Sequence, residues 1–147
     1  MIIVADASCL IVLQNIRELP LLQEVFGEVF ITEEVEKECE IDLPEWIKVK
    51  TVQNKIQQNA LNLILDAGEA ISIALCVEIN KPLLIIDEKK GRRIALELGL
   101  EITGTLGVIV KAREKGLIDS IEIVLEKLES ANFHISQSLR AGLLESK

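Results

Sequence analysis

The sequence predicts an α/β fold, with a central, mostly parallel sheet covered by helices on both faces. Three observations carry this. Short apolar runs of strand length alternate along the chain with segments of helical periodicity. Two of the runs, Ile2–Ala5 and Leu83–Ile86, are apolar at every position, as a strand buried on both faces requires. Helical segments separate the strand-like runs, the pattern of βαβ units. No repeat, low-complexity stretch or linker interrupts the pattern, so one domain over 1–147 is expected.

Taken in order, Ile2–Ala5 is the first strand, and Ser8–Ile16 and Glu18–Phe26 are helices, the second ended by Gly27. Glu28–Ile31 is a strand. Thr32 is placed to cap a helix whose first residues, Glu33 and Glu34, suit its dipole. That helix is expected to run to about Asp42, stopped by Leu43-Pro44. Trp46–Val52 alternates as an edge strand does, and Asn54–Leu65 and Asp66–Ile79 read as helices. Leu83–Ile86 is the next strand, Glu88–Leu98 a helix closed by Gly99, and Leu100–Thr103 a last strand. Gly104–Lys115, Asp119–Glu129 and Ser136–Leu144 complete the helices.

Composition narrows the function. Hydrophobic residues make up 49% and charged residues 27%, which is the balance of a folded chain with an aliphatic core. Aromatics are 3% and there is no Tyr, which argues against base-stacking platforms of the RRM or OB type, which need exposed aromatic rings. The formal charge of −8 argues against a protein that coats duplex phosphates. Cys9, Cys39 and Cys76 form no metal-binding or redox spacing and read as buried apolar residues in a reducing compartment. His134 is the only histidine and has no partner motif, so it reads as structural or exposed. The opening residues lack the basic segment of a signal peptide, and no stretch approaches 18 apolar residues. A cytoplasmic protein without a membrane segment is expected.

In a parallel sheet all strand carboxyl ends lie along one edge, where ligands bind. Two strands run directly into a carboxylate, Asp6 and Asp87. Each alone could begin a turn or cap a helix; together they mark one sheet edge. Glu69 is a third candidate. Asp66 and Glu69 have capping-box spacing, yet Gly68 between them is a poor helix residue and suits a place where another chain or a ligand comes close. Glu38 borders the apolar stripe of a helix crowded with acids, most of which read as solvated. If these carboxylates converge they cannot stay bare, because two charges 5 Å apart repel by about 3 kcal/mol at an effective dielectric of 20. Protons or cations must relieve them. Oxygen ligands without His or Cys favour Mg²⁺ or Mn²⁺ over Zn²⁺, and phosphodiester hydrolysis by metal-activated water is the reaction such a site suits. Next door, Lys89, Lys90, Arg92 and Arg93 form a basic cluster that is either a solvated helix face or a grip on a nucleic-acid backbone.

These motifs together resemble the PIN domain superfamily. Val4-Ala5-Asp6-Ala7-Ser8 is similar to its opening motif, Val35-Glu36-Lys37-Glu38 to its second acidic position, and Gly68-Glu69-Ala70 and Ile86-Asp87 to its third and fourth. Ile102-Thr103-Gly104-Thr105-Leu106-Gly107 resembles an uncharacterised prokaryotic PIN-like subgroup. The chain departs from the pattern at Ile85, where many PIN toxins carry Thr; at Glu69, where Asp is commoner; and at the double acid Asp87-Glu88, where Glu88 competes for a role. The resemblance covers nearly the whole chain and implies a three-layer α/β/α sandwich, often dimeric. It implies Mg²⁺- or Mn²⁺-dependent cleavage of single-stranded RNA, often as the toxin of a toxin–antitoxin pair, with an antitoxin protein as partner. Asp6, Glu38, Glu69 and Asp87 would then be the catalytic, metal-binding acids, with Ser8 and Thr105 as hydrogen-bonding neighbours. Two alternatives stand beside this. One is a catalytically weak or inactive PIN-like module that binds RNA or a protein. The other, a HAD-type phosphatase, is disfavoured because Ser8 stands where a second Asp is needed.

Overall fold

The computed structural model describes residues 2–145. The outermost limits of the expected domain, Met1 and Lys147, lie outside the described residues. Five strands, β1 (Ile3–Ala5), β2 (Val29–Thr32), β3 (Ile47–Lys50), β4 (Leu83–Ile85) and β5 (Ile102–Thr103), form one sheet in the order β3-β2-β1-β4-β5. Every pairing is parallel. The helices are α1 (Ala7–Asn15), α2 (Pro20–Phe26), α3 (Glu33–Cys39), α4 (Lys55–Asn62), α5 (Ala67–Glu78), α6 (Lys89–Glu97), α7 (Thr105–Glu114), α8 (Ile121–Ser130) and α9 (Gln137–Glu145).

The alternation of strand side chains divides the core in two. Ile3, Ala5, Val29, Ile31 and Ile85 face α1, α2, α3, α7 and α8. Val4, Leu84 and Ile86 face the other way, onto α4, α5 and α6. The result is the expected three-layer α/β/α sandwich. The two-sided apolar runs form central β1 and β4, whose residues are almost wholly buried. Lys48 and Lys50 lie on edge strand β3, where exposed lysines discourage pairing with another chain.

Several helix starts follow local chemistry. Thr32, Asn54, Asp66, Glu88 and Ser120 each accept a backbone N–H of the first turn that follows. Helix α2 begins at Pro20, two residues later than the periodicity predicts, because proline suits a first helical turn. Helix α3 ends at Cys39 with Glu40 in a left-handed conformation (φ 49°), well short of the predicted Asp42. Glu38, Glu40 and Asp42 would have crowded the negative end of the helix dipole. Strand β5 is shorter than predicted. Leu100 still belongs to the closure of α6, its N–H bonding the Ala95 carbonyl around Gly99 (φ 78°).

The chain lays down β1, β2 and β3 outward in one direction, then returns to place β4 on the other side of β1. The topological switch point therefore falls between β1 and β4, where open parallel sheets bind ligands. Ala5 pairs with Ile85, and the Asp6 N–H bonds the Ile85 carbonyl at 2.9 Å. That register delivers Asp6 and Asp87 side by side at this point. Among the described residues, no helix is long and apolar enough to cross a membrane.

Candidate active site

An open cleft of about 400 Å³ lies at the carboxyl edge of the sheet. Asp6, Glu38, Glu69 and Asp87 all line it, with Ser8 beside them. Asp66 and Glu88 line it too. Six carboxylates from the β1–α1 turn, α3, the start of α5 and the β4–α6 turn thus face one space.

Asp6 follows β1 at the N-cap position of α1, yet its side chain caps nothing. It is buried, and its Oδ1 has no hydrogen-bond partner. Burial pushes its pKa up to about 6; the Ala7 amide partly offsets this, and Glu38, Asp66 and Asp87 add to it. Glu69 is buried on the first turn of α5. The Asp66 side chain accepts the Glu69 N–H at 2.9 Å, so half of the expected capping box forms. The Glu69 carboxylate does not complete it. Its Oε2 is buried without a partner. Burial, then Asp66, Glu88 and Asp6, raise its pKa to about 8.

Asp87 is anchored differently. Its Oδ1 accepts the Thr105 N–H at 2.8 Å, at the positive end of α7, and its Oδ2 accepts the Thr105 hydroxyl at 2.6 Å. The Ser8 hydroxyl donates to the same Oδ2 at 3.3 Å. Glu88, not Asp87, caps α6, its Oε2 accepting the Gly91 N–H at 2.9 Å. Glu38 sits at the exposed rim, its pKa raised by partial burial and then by Asp66 and Glu34.

Three glycines make room for three of these acids. A Cβ on Gly68 would collide with the Glu38 carboxylate. One on Gly91 would stand 2.9 Å from Glu69 Oε2, and one on Gly104 would stand 2.7 Å from Asp87 Oδ1. The group that approaches Gly68 is the Glu38 side chain of the same molecule, where the sequence suggests another chain or a ligand. Gly91 and Gly104 are not singled out by sequence reasoning. Their signal is a glycine inside or at the start of a helix near a strand-end acid. Asp66 is likewise missed as a cleft residue because its capping role accounts for it.

The basic cluster divides. Lys89 and Lys90 are exposed at the start of α6, directly after the cleft acids. Arg93 pairs with Glu97 at 3.6 Å along the helix. Arg92 turns inward, its Nη1 donating to the Ile86 carbonyl at 2.9 Å. The three cysteines are buried and unpaired. Burial pushes Cys9 and Cys76 up to about 12 and Cys39 to about 11, so these thiols are not nucleophiles at neutral pH. His134 is exposed, the second of the two readings the sequence allows.

The donor set of the cleft is oxygen only, which suits a hard divalent cation such as Mg²⁺ or Mn²⁺. The two buried, unpartnered oxygens of Asp6 and Glu69 require a proton or a cation, so the residues fit such an ion. As they stand, the acids ring the cleft without closing on one point. Among the described residues, no three His, Cys, Asp or Glu side chains are grouped closely enough to hold a metal.

The sequence model of one family, described as a PIN domain, matches residues 2–147. Neither a curated protein nor a solved structure matches the chain.

Proposed function

The chain belongs to the PIN-domain family, and on that premise we propose that it is a Mg²⁺- or Mn²⁺-dependent endoribonuclease that cleaves single-stranded RNA. The observation that carries this reading is the pair of buried, unpartnered carboxylate oxygens, on Asp6 and Glu69, in an acid-lined cleft at the switch point of the sheet.

In this reading Asp6, Glu69 and Asp87 hold the divalent ions, with Glu38 closing the cleft from its rim. A divalent ion held there would supply Lewis-acid chemistry, a positive contact for the phosphodiester and a more acidic water. Asp87 keeps one orientation because the Thr105 amide and hydroxyl and the Ser8 hydroxyl take three of its roughly four lone-pair sites, which leaves one on Oδ1 for an ion. Asp66 and Glu88 spend one oxygen each on a helix cap and contribute negative potential. Lys89 and Lys90 hold the strand's backbone where it enters, so an acidic protein can still take up RNA.

The biological setting we propose is that of a cytoplasmic toxin, a single-domain chain acting as a homodimer. Its antitoxin would place an Arg or Lys among the cleft acids and so neutralise them without a metal. A second reading, a weakly active or inactive module that binds RNA or a protein, is favoured by one observation. The cleft acids are not drawn together at ligating distance.

One experiment separates the two. Single-stranded RNA is incubated with the protein and Mn²⁺ or Mg²⁺, beside Asp6→Asn and an EDTA control. Cleavage by the parent that is lost in both controls supports the hydrolase. Intact RNA with either ion, from folded protein, supports the module.

A further inference from the structure

A second groove adjoins the acidic cleft, and Asp87 lines both. Its volume is about 420 Å³, within the roughly 300–1,000 Å³ typical of small-ligand sites. Its walls differ in kind from those of the cleft. Leu106, Phe133 and Leu139 give it apolar surface, and Arg92 and His134 give it polar edges. Leu139 is 45% exposed and Phe133 only half buried, so this surface faces water.

The charge also differs. Arg92 bonds a backbone carbonyl and forms no ion pair within 4 Å among the described residues, so beside Asp87 its guanidinium still has N–H donors to offer. Gly104 makes this arrangement possible. A Cβ there would stand 3.0 Å from Arg92 Nη1 as well as against Asp87. The other phenylalanines are occupied elsewhere, Phe26 beneath Lys111 and Phe30 beneath Lys50. Phe133 packs against the core on one side and offers only the exposed part of its ring to a ligand.

A flat group with apolar faces and hydrogen-bonding edges, attached to an anion, fits such walls. We propose that this groove is a nucleotide subsite, which seats the base next to the scissile phosphate of single-stranded RNA. The base stacks on Phe133, its edge meets His134, and Arg92 takes the adjoining phosphate. The subsite deepens the ribonuclease reading and supplies the strand with a register that a backbone-and-metal cleft lacks.

The test uses the full chain and a mixed-sequence, single-stranded pentaribonucleotide, with Ca²⁺ as the divalent ion. The ring signals of Phe133 and His134 are followed by NMR, and the dissociation constant is measured for the parent, Phe133→Leu and His134→Glu. His134 is exposed, so its variant keeps the fold even if Phe133→Leu does not. Ring shifts in the parent, with binding weakened about tenfold in each folded variant, are expected. Unshifted rings, or unchanged affinity in folded His134→Glu, overturn the subsite. Cleavage with Mn²⁺ is scored separately on the parent. Shifted rings and weakened variants without cleavage leave the subsite standing and remove the hydrolase, whereas cleavage with unshifted rings does the reverse.

Discussion

The Oε2 oxygen of Glu69 lies 2.9 Å from the point where a Cβ on Gly91 would stand, and Ile86 Cδ1 lies 2.7 Å from it. A helix of the second layer therefore closes over a buried carboxylate through the absence of one methyl group. At Gly68 the same device meets the exposed end of Glu38. The two glycines predict opposite outcomes. Gly91→Ala must displace two buried groups and lowers stability by about 1–3 kcal/mol, despite alanine's better helix propensity. Gly68→Ala moves only a flexible rim side chain and raises stability by up to about 1 kcal/mol. Both weaken Mn²⁺ binding. Denaturant melts and metal titrations of the two variants check this.

Stability without metal should fall as pH rises. Asp6 and Glu69 have folded-state pKa values of about 6 and about 8, raised from 3.8 and 4.5. A group raised in this way contributes fully below its unfolded pKa, and the contribution is lost as pH climbs through the folded value. The metal-free protein is thus expected to lose stability between about pH 4 and pH 8, with Asp6 alone contributing on the order of 3 kcal/mol. Asp6→Asn flattens this dependence and is more stable than the parent at pH 8 in EDTA. A parent melting temperature that holds level or rises across that range contradicts the burial argument.

Divalent ions should reverse the loss. At pH 8, Mn²⁺ at about 100 times its dissociation constant stabilises the parent by about 2.7 kcal/mol, a melting shift of roughly 5–10 °C. Asp6→Asn and Asp87→Asn lose most of that shift, and EDTA removes it. Differential scanning calorimetry reads the result without any assay of cleavage.

Thr105 is buried and gives Asp87 both its amide and its hydroxyl. Thr105→Val keeps the shape and the amide bond but removes the hydroxyl. A loss of about 1–3 kcal/mol in stability is expected, since the bond is to a charged group. Mn²⁺ affinity falls with it, while Thr105→Ser retains both. Equal metal affinity in the valine and serine variants would show that the hydroxyl does not orient Asp87.

Lys89 and Lys90 are exposed at the start of α6, beside the cleft. Replacing both with Gln is expected to reduce the slope of log affinity against log salt by about 1.4 for single-stranded RNA, with little change in stability. Arg93→Gln should matter less, because Arg93 already pairs with Glu97. Salt titrations of RNA binding compare the three.

The layers of the fold were legible in the chain because burial leaves a periodic trace. Ile3-Val4-Ala5 and Leu83-Leu84-Ile85 are apolar on both sides and occupy neighbouring central positions. Thr32 and Asp66 sit where caps are needed, since a helix start calls for a local acceptor. Strand-end acids were legible for the same reason. A parallel sheet has one ligand edge, and a carboxylate following a buried strand must stand there.

What pairs with what was not legible, because it depends on residues far apart in sequence. The family resemblance names Ser8 and Thr105 as hydrogen-bonding neighbours, but nothing near Asp87 announces that it is the acid they hold, or that Gly104 will leave room for both Asp87 and Arg92. Nor does a capping box announce that Glu69 will leave it and bury an unpartnered oxygen. Local propensity and periodicity determined which elements form and which ends carry charge. Only close packing of α5, α6 and α7 around one sheet edge decided which carboxylates are desolvated, which are hydrogen-bonded and which stay at the rim. Desolvation is a property of everything that surrounds a group, so it exists only once the chain has folded.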